Sequence, residues 1–299
     1  QPAFARFPQW MWRHEEFRQL VSWMNTYNDR QSDAENKAGI YGLDLYSLQS
    51  SINAVIDFLD KKDPELADIA RTRYGCFEPW ADNPAGYGRS VLLERMEGCE
   101  QDVVNMLMEL MEQRKSYMNG YADNFLDMTR NAELIANAEK YYRVMYLGSA
   151  ESWNLRDRHM FNTLRAIIKG RHETPDQPKP KAIVWAHNSH IGDARATEMG
   201  KARGELNLGQ LCRQNYGDKA RLVGFGTANG TVAAADDWGG DMNVKTLNTP
   251  IHDSFEGLWS EASVENALLN LNYGLNDALR KDLEAWRLQR MIGVIYRPE

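Results

Sequence analysis

Two long stretches of helix-forming sequence with no strand-like run between them limit most sharply what this chain can fold into. Residues 91–115 place Val91, Leu92, Met96, Val103, Leu107, Leu110 and Met111 near helical spacing. Residues 123–147 do the same with Phe125, Met128, Leu134, Ile135, Tyr141, Tyr142, Val144 and Met145. The short link near Asn119-Gly120 predicts an antiparallel helical hairpin. On either side the pattern changes. Residues 39–45 (GIYGLDL), 181–186 (KAIVWA), 221–225 (RLVGF) and 292–296 (IGVIY) are compact apolar runs, the pattern of strands covered on both faces, and 231–235 reads as a further strand. Helices are expected at 15–27, after a Ser47 cap, from Pro64 to about Tyr74, at 152–169 and at 208–216. The stretch 75–88 reads as a long loop and 174–180 as a Pro-rich linker. The expected class is α/β: a mostly parallel sheet with helices on both faces, and a helical lobe over about residues 88–147 inserted between sheet strands.

Composition narrows the partners. At 299 residues the chain can bury a large core, as one elaborate domain or two small ones. Its 35 Lys+Arg against 42 Asp+Glu leave a net charge of −7, which repels a phosphate backbone, so no nucleic-acid partner is expected. The apolar runs are strand-length, so no membrane span is expected either. Cys76, Cys99 and Cys212 are an odd number with no CxxC pair. That argues against a disulfide framework or zinc cluster and for a reducing, cytoplasmic setting. Arg6 and Pro8 interrupt any signal-peptide core. The aromatic opening at Trp10 and Trp12, without an initial Met, and the abrupt end after 292–296 suggest a chain partial at both ends.

The strongest local candidate for chemistry is Trp185-Ala186-His187-Asn188-Ser189-His190, at the carboxyl end of an expected strand, where open α/β sheets place their ligand crevices. An imidazole titrates near neutrality, so it can take a proton from water and return one to a leaving alcohol. Asn188 and Ser189 can orient the rings or donate to a developing oxyanion. Spacing alone equally allows imidazoles that merely satisfy loop carbonyls. A metal site would need another ligand, and no H-E-x-x-H signature supplies one. Asp44, at the end of its own apolar run, can hold an imidazole in one tautomer or simply cap the next helix. Arg156 can bind a substrate carbonyl or carboxylate, although an Arg-Asp run on a helix is usually a solvated face, and His159 reads as structural. There is no G-x-S-x-G elbow and no phosphate-binding loop; Gly230 comes one residue late for G-x-G-x-x-G after Gly224 and Gly226.

Arg6-Phe7-Pro8 with Trp10-Met11-Trp12-Arg13, Gly42-Leu43-Asp44-Leu45-Tyr46-Ser47, Arg156-Asp157 with Met160, the Trp-Ala-His-Asn-x-His element at 185–190, and 224–240 occur in order along nearly the whole chain. Together they resemble the erythromycin esterase family, and within it the uncharacterised bacterial homologues more than the antibiotic-resistance enzymes. The resemblance implies a single domain over residues 1–299 with a three-layer α/β core and a helical lobe over a deep cleft. It implies hydrolysis of a small-molecule ester or macrolide-type lactone by activated water, without an acyl-enzyme. His187 and His190 would be catalytic, with Asp44, Arg156 and Asn188 in support. No cofactor is expected, and a metal ion is left open. The family's Gly-Glu-x-x-His-Gly element, whose His is the expected general base, has no counterpart: none of His14, His159, His172, His187, His190 and His252 precedes a Gly. The base, its neighbouring acids and the first strand are thus expected outside these residues, and these 299 residues alone are expected to show little esterase activity. Two alternatives stand beside this reading: a non-catalytic small-molecule- or metal-binding homologue, and a metal-dependent hydrolase with the His pair as ligands.

Overall fold

Short polar residues set where many of the helices begin. Asp63 accepts the Leu66 amide at 3.1 Å just ahead of Pro64, and Asn83 accepts the Gly86 amide at 3.3 Å just ahead of Pro84. Asn207 does the same for the Gln210 amide at 2.9 Å. In chain order the helices are α1 (Glu15–Asp29), α2 (Leu48–Lys62), α3 (Pro64–Tyr74), α4 (Pro84–Leu93), α5 (Glu100–Glu112), α6 (Ala122–Val144), α7 (Ala150–Gly170), the single turn α8 (Asn188–Ile191), α9 (Glu198–Arg203) and α10 (Leu208–Tyr216). Two short strands, β1 (Thr231–Ala234) and β2 (Asn243–Thr246), and two short helices, α11 (Phe255–Glu261) and α12 (Asp277–Leu283), follow. The computed structural model describes residues 4, 8–94, 96–113, 122–148, 150–171, 179–262, 264–271 and 275–298, without the side chains of 122–126. The Asn119-Gly120 link, Arg6, Phe7, Ser149, His172 and most of the 174–180 linker lie outside these residues.

The chain divides into two units, one of Gln1–Gly39 with Gly224–Glu299 and one of Ile40–Val223. In the second, α6 packs against α2, α4, α5 and α7, and the lobe buries Val55, Leu59, Met106, Leu110 and Ile135 completely. Helices α4 and α6 approach so closely that a Cβ on Gly88 would lie 1.7 Å from the Tyr142 carbonyl oxygen. Tyr87 donates its hydroxyl to Glu139 Oε1 at 2.7 Å and accepts the Cys99 amide at 2.8 Å, so the polar groups under this contact are paired. A smaller cluster forms where Met160, Phe161 and Leu164 of α7 meet Leu206, Leu208 and Leu211, with Leu43 and Val184 packed against it.

In the first unit, Phe17 of α1 packs edge-on against Trp12 and Phe4, with centroids 5.2 and 5.3 Å away. There β1 and β2 form an antiparallel pair in which Thr231 opposes Thr246. Arg290 donates to the Ala228 and Asn248 carbonyls, and Lys245 to those of Ala235 and Tyr296. Among the described residues no helix is long and apolar enough to cross a membrane.

Three expectations are corrected. The mostly parallel, three-layer sheet is absent: the described residues are mostly helical, and their one sheet is the β1–β2 pair, with an isolated parallel bridge from Ala235 to Ile295 in the 292–296 run. The runs at 39–45, 181–186 and 221–225 form no strand, and Ile183 is 99% exposed. Apolar composition specifies that a segment favours burial, whereas a strand also requires a neighbour to pair with. Among the described residues the first arm of the helical hairpin is broken, because α4 ends at Leu93 and α5 begins at Glu100, and the expected 75–88 loop contains the start of α4. At the far side of the break the Cys99 amide, ahead of the first turn of α5, donates to the Tyr87 hydroxyl. Finally, Cys76 and Cys99 form a disulfide with their Cα atoms 6.0 Å apart, tying the 3-10 turn Gly75–Trp80 to the start of α5. Residues 23 apart in sequence gave no sign of that proximity; Cys212 remains a thiol, and burial pushes its pKa up.

Candidate active site

Helix α7 supplies the frame. Trp153, Arg156 and Asp157 stand three and four residues apart, which places them on one face of the helix. Asp157 is fully buried, and both its oxygens lie against His190 Nδ1, at 3.0 and 2.9 Å. Its Oδ1 also accepts the Leu208 amide at 2.8 Å, at the start of α10. The Trp153 indole stacks on the imidazole with centroids 4.6 Å apart and planes within 4°, and its Nε1–H donates to the Leu206 carbonyl at 2.7 Å. The loop bearing His190 is fastened from the other side, where Asn207 Nδ2 donates to the Ser189 carbonyl at 2.9 Å.

Arg156 points to a different partner. Its Nε and Nη2 donate to the two oxygens of Asp44 at 2.9 and 2.7 Å, a bidentate pair joining residues 112 apart in sequence. The guanidinium also lies 4.5 Å from the Tyr46 ring centroid, and the Tyr46 and Tyr141 hydroxyls are 3.1 Å apart. Burial pushes the Asp44 carboxyl up, but the Arg156 hydrogen bonds and charge, the Leu45 amide and His190 together bring it below its ordinary value. Burial likewise works against the charge on Arg156, yet Asp44 raises its pKa overall, while burial raises that of the Tyr46 phenol. Nearby, His159 is buried with Asn137 Nδ2 3.1 Å from its Nδ1, and burial drives its pKa down to about 4.

The candidate residues therefore separate into distinct roles. Asp44 holds Arg156, not an imidazole, and the acid on an imidazole is Asp157. Arg156 spends Nε and Nη2 on Asp44, so those atoms are not offered to a substrate carbonyl. His190 is buried, whereas His187 is exposed, with its Nδ1 2.8 Å from Ser189 Oγ and accepting the Ser189 amide at 3.2 Å. Asn188, half-buried, begins α8, and its carbonyl accepts the Gly192 amide. Among the described residues no group of three or more His, Cys, Asp or Glu is placed to hold a metal ion. Trp153, Asp157 and Asn207 were not singled out from sequence as site residues. The i, i+4 spacing from Trp153 to Asp157 was the available signal, without any indication of which face it served.

A family model for erythromycin esterase matches residues 1–299. The chain belongs to the erythromycin esterase family. Three solved structures share its fold. One, a protein from Bacillus cereus, aligns at 19% identity with a TM-score of 0.71, over 91% of this chain and 63% of that one. A succinoglycan biosynthesis protein aligns at 19% identity and 0.64, over 85% and 58%. A histidine-to-asparagine variant of the erythromycin esterase EreC, in its open conformation, aligns at 13% identity and 0.59, over 83% and 63%. This family member thus spans about three-fifths of the length of the solved chains it matches.

Proposed function

We propose that this erythromycin esterase family member contributes a histidine-bearing part of a hydrolytic site that cleaves a carboxylic ester or macrolide-type lactone by direct attack of water. The observation that carries the reading is the buried His190–Asp157 pair at 2.9 Å, since an imidazole anchored at one nitrogen has the other for proton transfer. Water adds to the carbonyl carbon and gives up its proton to a base. The tetrahedral intermediate then collapses, the acyl carbon–oxygen bond breaks, and His190, as imidazolium, hands a proton to the leaving alkoxide. His187, the second imidazole of the same loop, is assigned the polarising of the carbonyl. The general base is assigned to the family's Gly-Glu-x-x-His-Gly element. The absence of a nucleophile elbow supports direct water attack over an acyl-enzyme.

Single-turnover hydrolysis in ¹⁸O-labelled water, across macrolides and simple lactones, tests the proposal on the gene-encoded protein. Label should enter the product acid, and His190→Ala should lower kcat by roughly 10²-fold or more. Label trapped on the enzyme would indicate an acyl intermediate, and near-wild-type rates in both His187→Ala and His190→Ala would remove the residue assignment.

A further inference from the structure

We infer that Asp157 is the positioning residue of His190, fixing the neutral ring as the Nδ1–H tautomer so that Nε2 is the nitrogen that transfers the proton. The inference deepens the hydrolytic reading and rests on it for its catalytic consequence, though not for its geometry. A carboxylate only accepts hydrogen bonds. With both Asp157 oxygens within 3.0 Å of Nδ1, that nitrogen must carry the hydrogen, and the Nε2 lone pair faces away from the carboxylate. Asp157 cannot easily turn away, because its Oδ1 also serves the Leu208 amide at the first turn of α10. The ring cannot rotate either. Trp153, one helical turn before Asp157 on α7, lies parallel over its face, and the indole is itself pinned through Nε1–H to the Leu206 carbonyl.

One helix face therefore supplies both the plane and the acid that orient a single imidazole. When His190 takes up a second proton, the cation forms at Nε2 while Asp157 faces it at Nδ1, the arrangement that an orienting acid provides in hydrolytic triads. Neutral His190 is consequently a hydrogen-bond acceptor at Nε2, and it donates there only as the imidazolium.

The amide variant Asp157→Asn turns this into a test with a built-in direction. The Leu208 amide still requires an acceptor, so the oxygen of the introduced side-chain amide takes that place and its NH₂ group faces Nδ1. That group, at the nearer of the two positions to Nδ1, favours the ring proton at Nε2. Histidine-selective ¹⁵N NMR, with His190 identified by its loss in His190→Gln, reads the tautomer directly. The expected result is Nδ1–H in the wild type and Nε2–H in the variant, with kcat lowered roughly 10²-fold or more and KM little changed. A wild-type ring protonated at Nε2 overturns the inference. If the variant does not fold, the wild-type spectrum alone still decides. Failure to detect any ester hydrolysis would remove the proposed function and leave the tautomer result standing, so the two can fail separately.

Discussion

Within residues 40–223 two kinds of apolar sequence meet opposite fates. The lobe of α2 to α6 buries its apolar face, with Val55, Leu59, Met106, Leu110 and Ile135 all at zero exposure. The runs at 39–45 and 181–186 are equally apolar in pattern, yet they form no strand, and Ile40 and Ile183 stand in the open, although Leu45 at the end of the first run is buried. The difference lies in where the backbone finds its partners. A helix satisfies its amides and carbonyls within its own segment, so an amphipathic helix needs only something apolar to lie against. A strand satisfies none of them alone, and its register and burial depend on a neighbour that its own sequence does not name.

The largest expected effect breaks the buried side of this comparison. Gly88→Ala would put a methyl group 1.7 Å from the Tyr142 carbonyl oxygen, which is backbone and cannot rotate aside. Separating α4 from α6 should cost about 3 kcal/mol or more. Urea unfolding with an unchanged midpoint would show that the two helices do not approach as closely as described. Reducing the Cys76–Cys99 bond should cost a similar amount, about 3 kcal/mol for a closed loop of this length. Thiol labelling counts one free cysteine before reduction and three after it. Three reactive thiols in the untreated folded protein would mean that the bridge is not formed.

A pH-dependent loss should follow from His159. Burial lowers its folded pKa to about 4, below the ordinary histidine value of 6.5, so the unfolded chain binds the proton more readily. The associated stability is therefore complete above about pH 6.5, declines as pH falls toward 4, and is flat below. The loss amounts to no more than about 3 kcal/mol. Asp44 acts lower on the scale: its depressed pKa contributes stability present above the usual aspartate range and lost only as pH falls through its folded value. His159→Gln, comparable in length to histidine and able to bond Asn137, should flatten the slope between pH 6.5 and 4. A slope that survives in the variant would assign it to another group.

Helices α3 and α10 were legible in the sequence because their starts carry their own signals, Asp63-Pro64 and Asn207. The His-Asn-x-His element drew attention to His190 for the same local reason. Asp157 escaped, because helical spacing fixes which residues share a face but not which face is buried. Asp44 and Arg156 were each visible, yet their pairing spans 112 residues and no local pattern encodes it. The Cys76–Cys99 bridge was missed on similar grounds: counting cysteines says nothing about which two a folded turn brings together.

The smallest expected effect probes the exposed side. Ile183 sits in the middle of the most strand-like run of the chain, between Ala182 and Val184, and sequence pattern alone would rank it among the core residues. Burying an isoleucine side chain is worth roughly 1.5–3 kcal/mol, so if the run were an interior strand, Ile183→Ser would cost at least that much and leave a hydroxyl in need of a partner. At 99% exposure there is no burial to lose, and the change should stay within about 0.5 kcal/mol. Val184 is the internal control. It packs against the Met160 and Leu164 cluster, so Val184→Ser should be the more destabilising of two adjacent substitutions of related chemistry. Urea midpoints of the two variants, measured at several protein concentrations, make the comparison. A large, concentration-independent loss for Ile183→Ser would show that the residue is covered within the chain in solution. A loss that grows as the protein is concentrated would instead mean that copies of the chain cover one another's exposed runs, the association expected of unpaired apolar strand sequence.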